Sequence, residues 1–308
     1  MTNNIFITIV NYPNALKSAV YGLQELFISA NAILKNQALD ARFYVDICTP
    51  KQLNMAENSH IDLIIVPPII NGDYHLSPAP ELINFLIQAQ RKGVILCSAC
   101  AGAFILAETG LFEGKMLTTH WQMANDFREK YPKVHLNTDK ILINSINAIS
   151  AGGLMSWIDL GLEIVARFSK PFIMRLLGKF LIVDTGKREQ RYYESFNPSF
   201  AHNNDKIVKV QHYIQDNYQT RITMKDLSSV AFITERTLLR QFTQATDWKP
   251  LQYIQRIRVQ KACEALESTT QSLEQIAALV GYNDVNSFRK VFNKVIGLSP
   301  TEFRQRFR

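Results

Sequence analysis

Leu273-Glu274-Gln275-Ile276-Ala277 runs on to Val280-Gly281-Tyr282, then to Phe288-Arg289-Lys290-Val291-Phe292, and closes on Gly297-Leu298-Ser299-Pro300. Apolar residues at helical spacing, a glycine turn and a second apolar-periodic run describe two helices joined by a tight turn. That is the geometry that lays a helix in the DNA major groove. A second pattern of this kind stands upstream: Met224-Lys225-Asp226-Leu227, then Thr234-Glu235-Arg236-Thr237-Leu238-Leu239-Arg240-Gln241-Phe242. Double-stranded promoter DNA is therefore the first expected partner.

Spacing also sorts the side chains. In the upstream motif Leu238 and Phe242 are four apart and should pack inward, which turns Arg236, Leu239, Arg240 and Thr243 outward. In the downstream motif Phe288 and Phe292 take the inward positions, leaving Asn286, Ser287, Arg289 and Lys290 outward. Arginine pairs bidentately with guanine and asparagine with adenine, so these eight are the candidate DNA-binding residues. For Lys225, Arg256, Arg258 and Lys261, phosphate contact and plain solvation read equally well. Residues 251–266 between the motifs form a helix pattern that would fix their placement. Two helices so held would enter successive major grooves about 34 Å apart.

Working outward, 308 residues suggest two domains. Apolar content of 47% and charged content of 20% describe a globular chain rather than a disordered one. The net charge of +7 is uneven: residues 1–184 carry 15 Lys+Arg against 15 Asp+Glu, whereas residues 205–308 carry 16 against 10. The excess thus coincides with the two motifs, where a basic face would attract phosphates. No apolar run reaches the roughly 18–20 residues of a membrane span, so no membrane partner is expected. The N-terminus has neither the basic flank nor the cleavage site of a secretion signal, and cytoplasmic localisation is expected. Cys48, Cys97, Cys100 and Cys263 are too few and irregular for a disulfide framework.

In residues 1–184, β-branched runs at 5–10, 43–47, 62–66 and 94–97 alternate with helical patterns at 16–35 and 81–92. The order predicts an α/β open parallel sheet with flavodoxin-like layers, followed by an all-α domain. The expected boundaries are 1–184, a connection 185–204, and 205–308, with the helical pattern 171–183 packing back on the first domain. Ligands of such sheets bind at the strand-to-helix turns, and Val94-Ile95-Leu96-Cys97-Ser98-Ala99-Cys100-Ala101-Gly102-Ala103-Phe104 is one. Its small residues suit a sharp elbow with Cys100 at the apex. A helix N-terminus there should favour thiolate and lower the thiol pKa. Small cysteines among alanines are also ordinary core residues. Cys97-Ser98-Ala99-Cys100 is formally C-x-x-C, but its first cysteine ends a strand, so neither a redox pair nor a metal site is expected.

Cys100-Ala101-Gly102, Leu106-Ala107-Glu108, Gly110 and Thr118-Thr119-His120 resemble the PfpI-like branch of the class I glutamine amidotransferase-like superfamily over most of residues 1–170. The resemblance implies a site of Glu25, Cys100, Ala101 and His120, with Ala151-Gly152-Gly153 and Asp159 near the same pocket. Residues 205–308 resemble the AraC/XylS-type DNA-binding domain. The domain order is similar to that of the GlxA-like transcriptional regulators, as is Gln190-Arg191-Tyr192-Tyr193. Against that pattern, Asp247 stands where glycine is usual, Lys290 where arginine is usual, and Leu239 offers only an apolar contact.

The resemblance implies a regulator of catabolic genes whose first domain senses a small, nitrogenous effector and forms a homodimer, with RNA polymerase as a further partner. No cofactor and no catalytic residue are implied. An alternative is a cysteine-dependent hydrolase using Cys100 and His120. A third reading makes Cys100 an oxidation sensor.

Overall fold

The computed structural model describes residues 4–53, 60–186 and 188–308. Part of the N-terminal stretch read above, and Lys187 of the expected connection, lie outside the described residues. The chain divides into two compact units, Met1–Gln190 and Arg191–Arg308. The segment 185–204 is thereby shared: Gln190 is buried in the first unit, and Phe196 packs against the core of the second.

The first unit runs β1 (Asn4–Val10), α1 (Lys17–Asn36), β2 (Arg42–Cys48), β3 (Leu63–Val66), α2 (Pro80–Arg91), β4 (Ile95–Ala99), α3 (Gly102–Glu108), β5 (Met116–Leu117), α4 (Ala124–Lys130), β6 (His135–Leu136), β7 (Leu142–Asn144), β8 (Ala148–Ala151), α5 (Trp157–Phe168) and α6 (Pro171–Leu181). The main sheet has the order β2-β1-β3-β4-β8-β7. Its first five strands are parallel, and β7 closes one edge antiparallel to β8. This hairpin modifies the all-parallel sheet read from the sequence. Leu63–Val66 is buried at all four positions, as a strand covered on both faces must be. Ile173 and Leu177 of α6 join the same core, so that helix does pack back on the first domain, against α1 and α5.

The second unit is helical: α7 (Asp205–Asn217), α8 (Met224–Ala231), α9 (Glu235–Thr246), α10 (Pro250–Ser268), α11 (Leu273–Leu279), α12 (Val285–Ile296) and α13 (Pro300–Phe307). Its helix starts are set by side chains that satisfy orphan backbone donors. Asn204, Thr223, Thr234, Ser272, Asp284 and Ser299 cap α7, α8, α9, α11, α12 and α13. Two apolar cores form, and α10 belongs to both. Tyr253, Ile254 and Ile257 enter the core of α7, α8 and α9, while Val259, Ala262, Cys263 and Leu266 enter that of α11, α12 and α13. One helix therefore holds the two helix-turn-helix motifs together.

Candidate functional site

In α9, Leu238 and Phe242 are fully buried, Arg236, Leu239 and Arg240 are exposed, and Thr243 is half-buried. In α12, Phe288 and Phe292 are fully buried and Asn286, Ser287, Arg289 and Lys290 are exposed. Inward aromatic packing thus turns two sets of polar side chains to solvent. The Asp284 carboxyl accepts from the Ser287 and Asn286 amides at the start of α12. Those bonds, with Lys290 nearby, hold it below the usual carboxylate range.

Two of the other cations, Arg256 and Arg258, face inward. Arg256 stacks over the Trp248 ring at 4.0 Å and pairs with Glu194 at 3.1 Å. Arg258 donates to the carbonyls of Tyr218 and Thr220, each at 2.7 Å. Lys261 pairs with Glu264 at 2.8 Å on one helix face. Arg256 and Arg258 therefore tie the second unit to itself, while Lys225 is exposed.

At the other candidate site, Cys100 sits at the apex between β4 and α3 with φ of 52°. Its amide donates to the Ala151 carbonyl at 2.8 Å, and its carbonyl accepts from Thr119 Oγ1 at 2.8 Å. Gly102 follows because α3 begins against β3, where a methyl group would overlap the Val66 carbonyl. The apex is enclosed: Cys100 is 4% exposed and Ala101 is fully buried. Burial pushes the Cys100 thiol up to about 11, and hydrogen bonds from the Ala101 and His120 backbone only partly oppose it. The expected lowering by the helix terminus is thus corrected: desolvation of the thiolate outweighs it. Cys97, buried within β4, is pushed up to about 12 for the same reason.

His120 reaches the sulfur through its backbone. Its half-buried ring stacks on Trp121, with centroids 5.6 Å apart, and Nδ1 accepts from the Gln122 amide at 3.2 Å. Burial lowers its pKa. Glu25 stands on the exposed side of α1, whereas the Cys100 thiol is enclosed. Asp159 is held in a bidentate pair with Arg188, both oxygens at 2.8 Å from Nη2.

Three neighbours were not among the candidate site residues. Tyr12, just beyond β1, is buried, stacks on Tyr74, and donates to the Pro67 carbonyl beyond β3 at 2.6 Å. These are the carboxyl ends of β1 and β3, between which the strand order reverses, the usual ligand crevice of such a sheet. That rule, applied to residue 12, would have found it. Thr119 and Gln190 are the others; both stand in stretches that carry the resemblance, but their polar side chains gave no periodic signal of a role at the site.

The comparisons with known proteins divide the chain as the structure does. Residues 21–167 match the DJ-1/PfpI family and residues 227–306 a helix-turn-helix domain. The chain is similar to the HTH-type transcriptional regulator CdhR of Pseudomonas aeruginosa, 26% identical over 73% of this chain and 67% of that protein. It is 24% identical to the regulator GbdR of the same species, over 73% of this chain and 61% of GbdR, less than two thirds of that relative's length. In fold, 58% of the chain superposes on 99% of a proposed transcriptional regulator from Vibrio parahaemolyticus, at 19% identity and a TM-score of 0.50.

Proposed function

We propose, from the premise that this chain joins a DJ-1/PfpI-family domain to an AraC-type helix-turn-helix domain as GlxA-like regulators do, that it is a DNA-binding transcriptional regulator switched by a small molecule. Arg236, Leu239, Arg240, Thr243, Asn286, Ser287, Arg289 and Lys290 read promoter DNA from two major grooves. The observation that carries this reading is the pair of outward polar faces on α9 and α12, both anchored to α10. Cytoplasmic action fits it, and none of the described helices is long and apolar enough to cross a membrane.

The first domain binds the effector around Cys100, Ala101 and His120, a nitrogenous metabolite by analogy with what the family resemblance implies. It acts as a sensor, activating catabolic genes through RNA polymerase, and dimerises through the same domain. A regulator gains nothing by consuming its ligand, and the His120 ring is engaged with Gln122 and Trp121 rather than with the sulfur. A hydrolase would need that ring as a base on a thiol already pushed up to about 11.

Binding to duplexes from upstream of the gene and its neighbours, titrated with salt against unrelated duplex, tests the reading. A preferred fragment whose binding weakens in Arg240→Ala and Lys290→Ala is the expected result. Equal binding to every duplex would leave only a basic domain. Thiol-dependent turnover abolished by Cys100→Ala, with DNA affinity intact, would favour the enzyme.

A further inference from the structure

Gln190 ends the first unit and Arg191 begins the second, and one short 3-10 turn, Gln190–Tyr193, contains both. Within the first unit the Gln190 side chain is buried, 3% exposed. Its Nε2 donates to the carbonyls of Thr119 and Thr138 at 3.0 and 2.9 Å. Its Oε1 accepts from the amides of Trp121 and Gly153 at 3.0 and 3.3 Å. Both donors and both acceptor directions are therefore used. Thr119 and Trp121 flank His120, whose backbone bonds the Cys100 sulfur, and Thr119 also holds the Cys100 carbonyl. Gly152 has no side chain at this contact because a methyl group would overlap the amide.

Within the second unit, Arg191 lies against Gly297, the left-handed residue (φ 87°) that caps α12. The approach is so close that a methyl group on Gly297 would overlap the guanidinium. Next along the turn, Arg306 lies over the rings of Tyr192 and Tyr193, and Tyr193 meets Phe307 of α13 edge-on.

We propose that Gln190 is a positioning residue of the Cys100 site, and that the Gln190-Arg191 step relays the state of that site to the second recognition helix. The relay rests on the regulator reading above. A ligand that displaces residues 119–121 or the Gly152-Gly153 loop must disturb bonds to one buried amide. A buried amide left half-satisfied is costly, so Gln190 moves with its partners. The peptide bond passes that shift to Arg191, which has no slack against the backbone at the end of α12. Coupling of this kind is reciprocal, so seating α12 on DNA acts back on the loops at Gln190.

Reciprocity allows a test without the effector. Amide hydrogen exchange at Trp121 and Gly153 is measured in the full-length chain, free and saturated with a duplex selected on that chain from a random-sequence pool. The duplex is expected to change both rates by about fivefold or more. The response is expected to vanish in Arg191→Ala, which leaves the Cys100 site untouched. Gln190→Glu, which sets a carboxylate against two carbonyls, should speed both exchanges and shift duplex affinity by a similar factor. Exchange unmoved by a saturating duplex, or a response that survives Arg191→Ala, would overturn the relay and leave the regulator reading standing. Failure to select any duplex would overturn that reading and the relay with it.

Discussion

Cys100 shows how a single residue's chemistry follows from its shell. The apex backbone is left-handed, a conformation that costs a side-chain-bearing residue about 1–2 kcal/mol and persists only where the surroundings impose it. The same enclosure strips water from the sulfur, and the thiol rises from 9.0 to about 11. At neutral pH its alkylation should run roughly 100-fold slower than that of a free cysteine and accelerate up to about pH 11, read by iodoacetamide labelling against pH. The sign for stability follows. The folded state favours the neutral thiol, so its contribution is full below pH 9 and lost as pH rises through 9 to 11. Phe232, with φ of 52° and 90% exposure, and Asp247, with φ of 61°, hold left-handed caps on α8 and α9 without glycine. Phe232→Gly should stabilise the second unit by about 1 kcal/mol, seen as a rise in Tm, since it removes strain and little packing. Arginines divide by environment. Arg240→Ala should weaken duplex binding by roughly 5- to 150-fold with Tm unchanged, whereas Arg258→Ala should lower Tm by breaking the ties to Tyr218 and Thr220.

Among the elements, those with a strong period were legible from the residues alone. The runs at 5–10, 43–47, 62–66 and 94–97 fall within or across β1, β2, β3 and β4, and residues 251–266 lie within α10. The hairpin of β7 and β8 was not legible. Leu142–Asn144 is three residues long, and Ala148–Ala151 is mostly small, so neither carries the β-branched signal of a strand. Pairing with β4 makes β8 a strand, and that pairing is non-local. The turn between α11 and α12 was legible at Gly281, which has φ of 82° and stands 2.5 Å, by its missing Cβ, from the Gln219 carbonyl. Gly281→Ala should therefore destabilise the second unit by about 2 kcal/mol or more, measured by urea unfolding, since it adds both strain and overlap.

Across the whole molecule, the basic excess of residues 205–308 predicts salt-sensitive binding. Four cations engaged with phosphates would give a log–log slope of about −4, measured by titrating salt against duplex affinity. The sequence by itself determined the two-domain order, the parallel core of the sheet, the helix-turn-helix pairs and which of their side chains face outward. Each of these is set by local period or by turn chemistry within a few residues, and burial in α9 and α12 follows the four-residue spacing. Tertiary structure alone decided the surroundings of Cys100. It set the thiol against burial rather than a helix terminus, left Glu25 on an exposed face, and brought Tyr12, Thr119 and Gln190 to the elbow from distant stretches of chain. Hydrogen bonds between residues as far apart as Thr119 and Gln190, and the desolvation of a thiol, depend on what the folded chain packs around them. No period along the sequence encodes that.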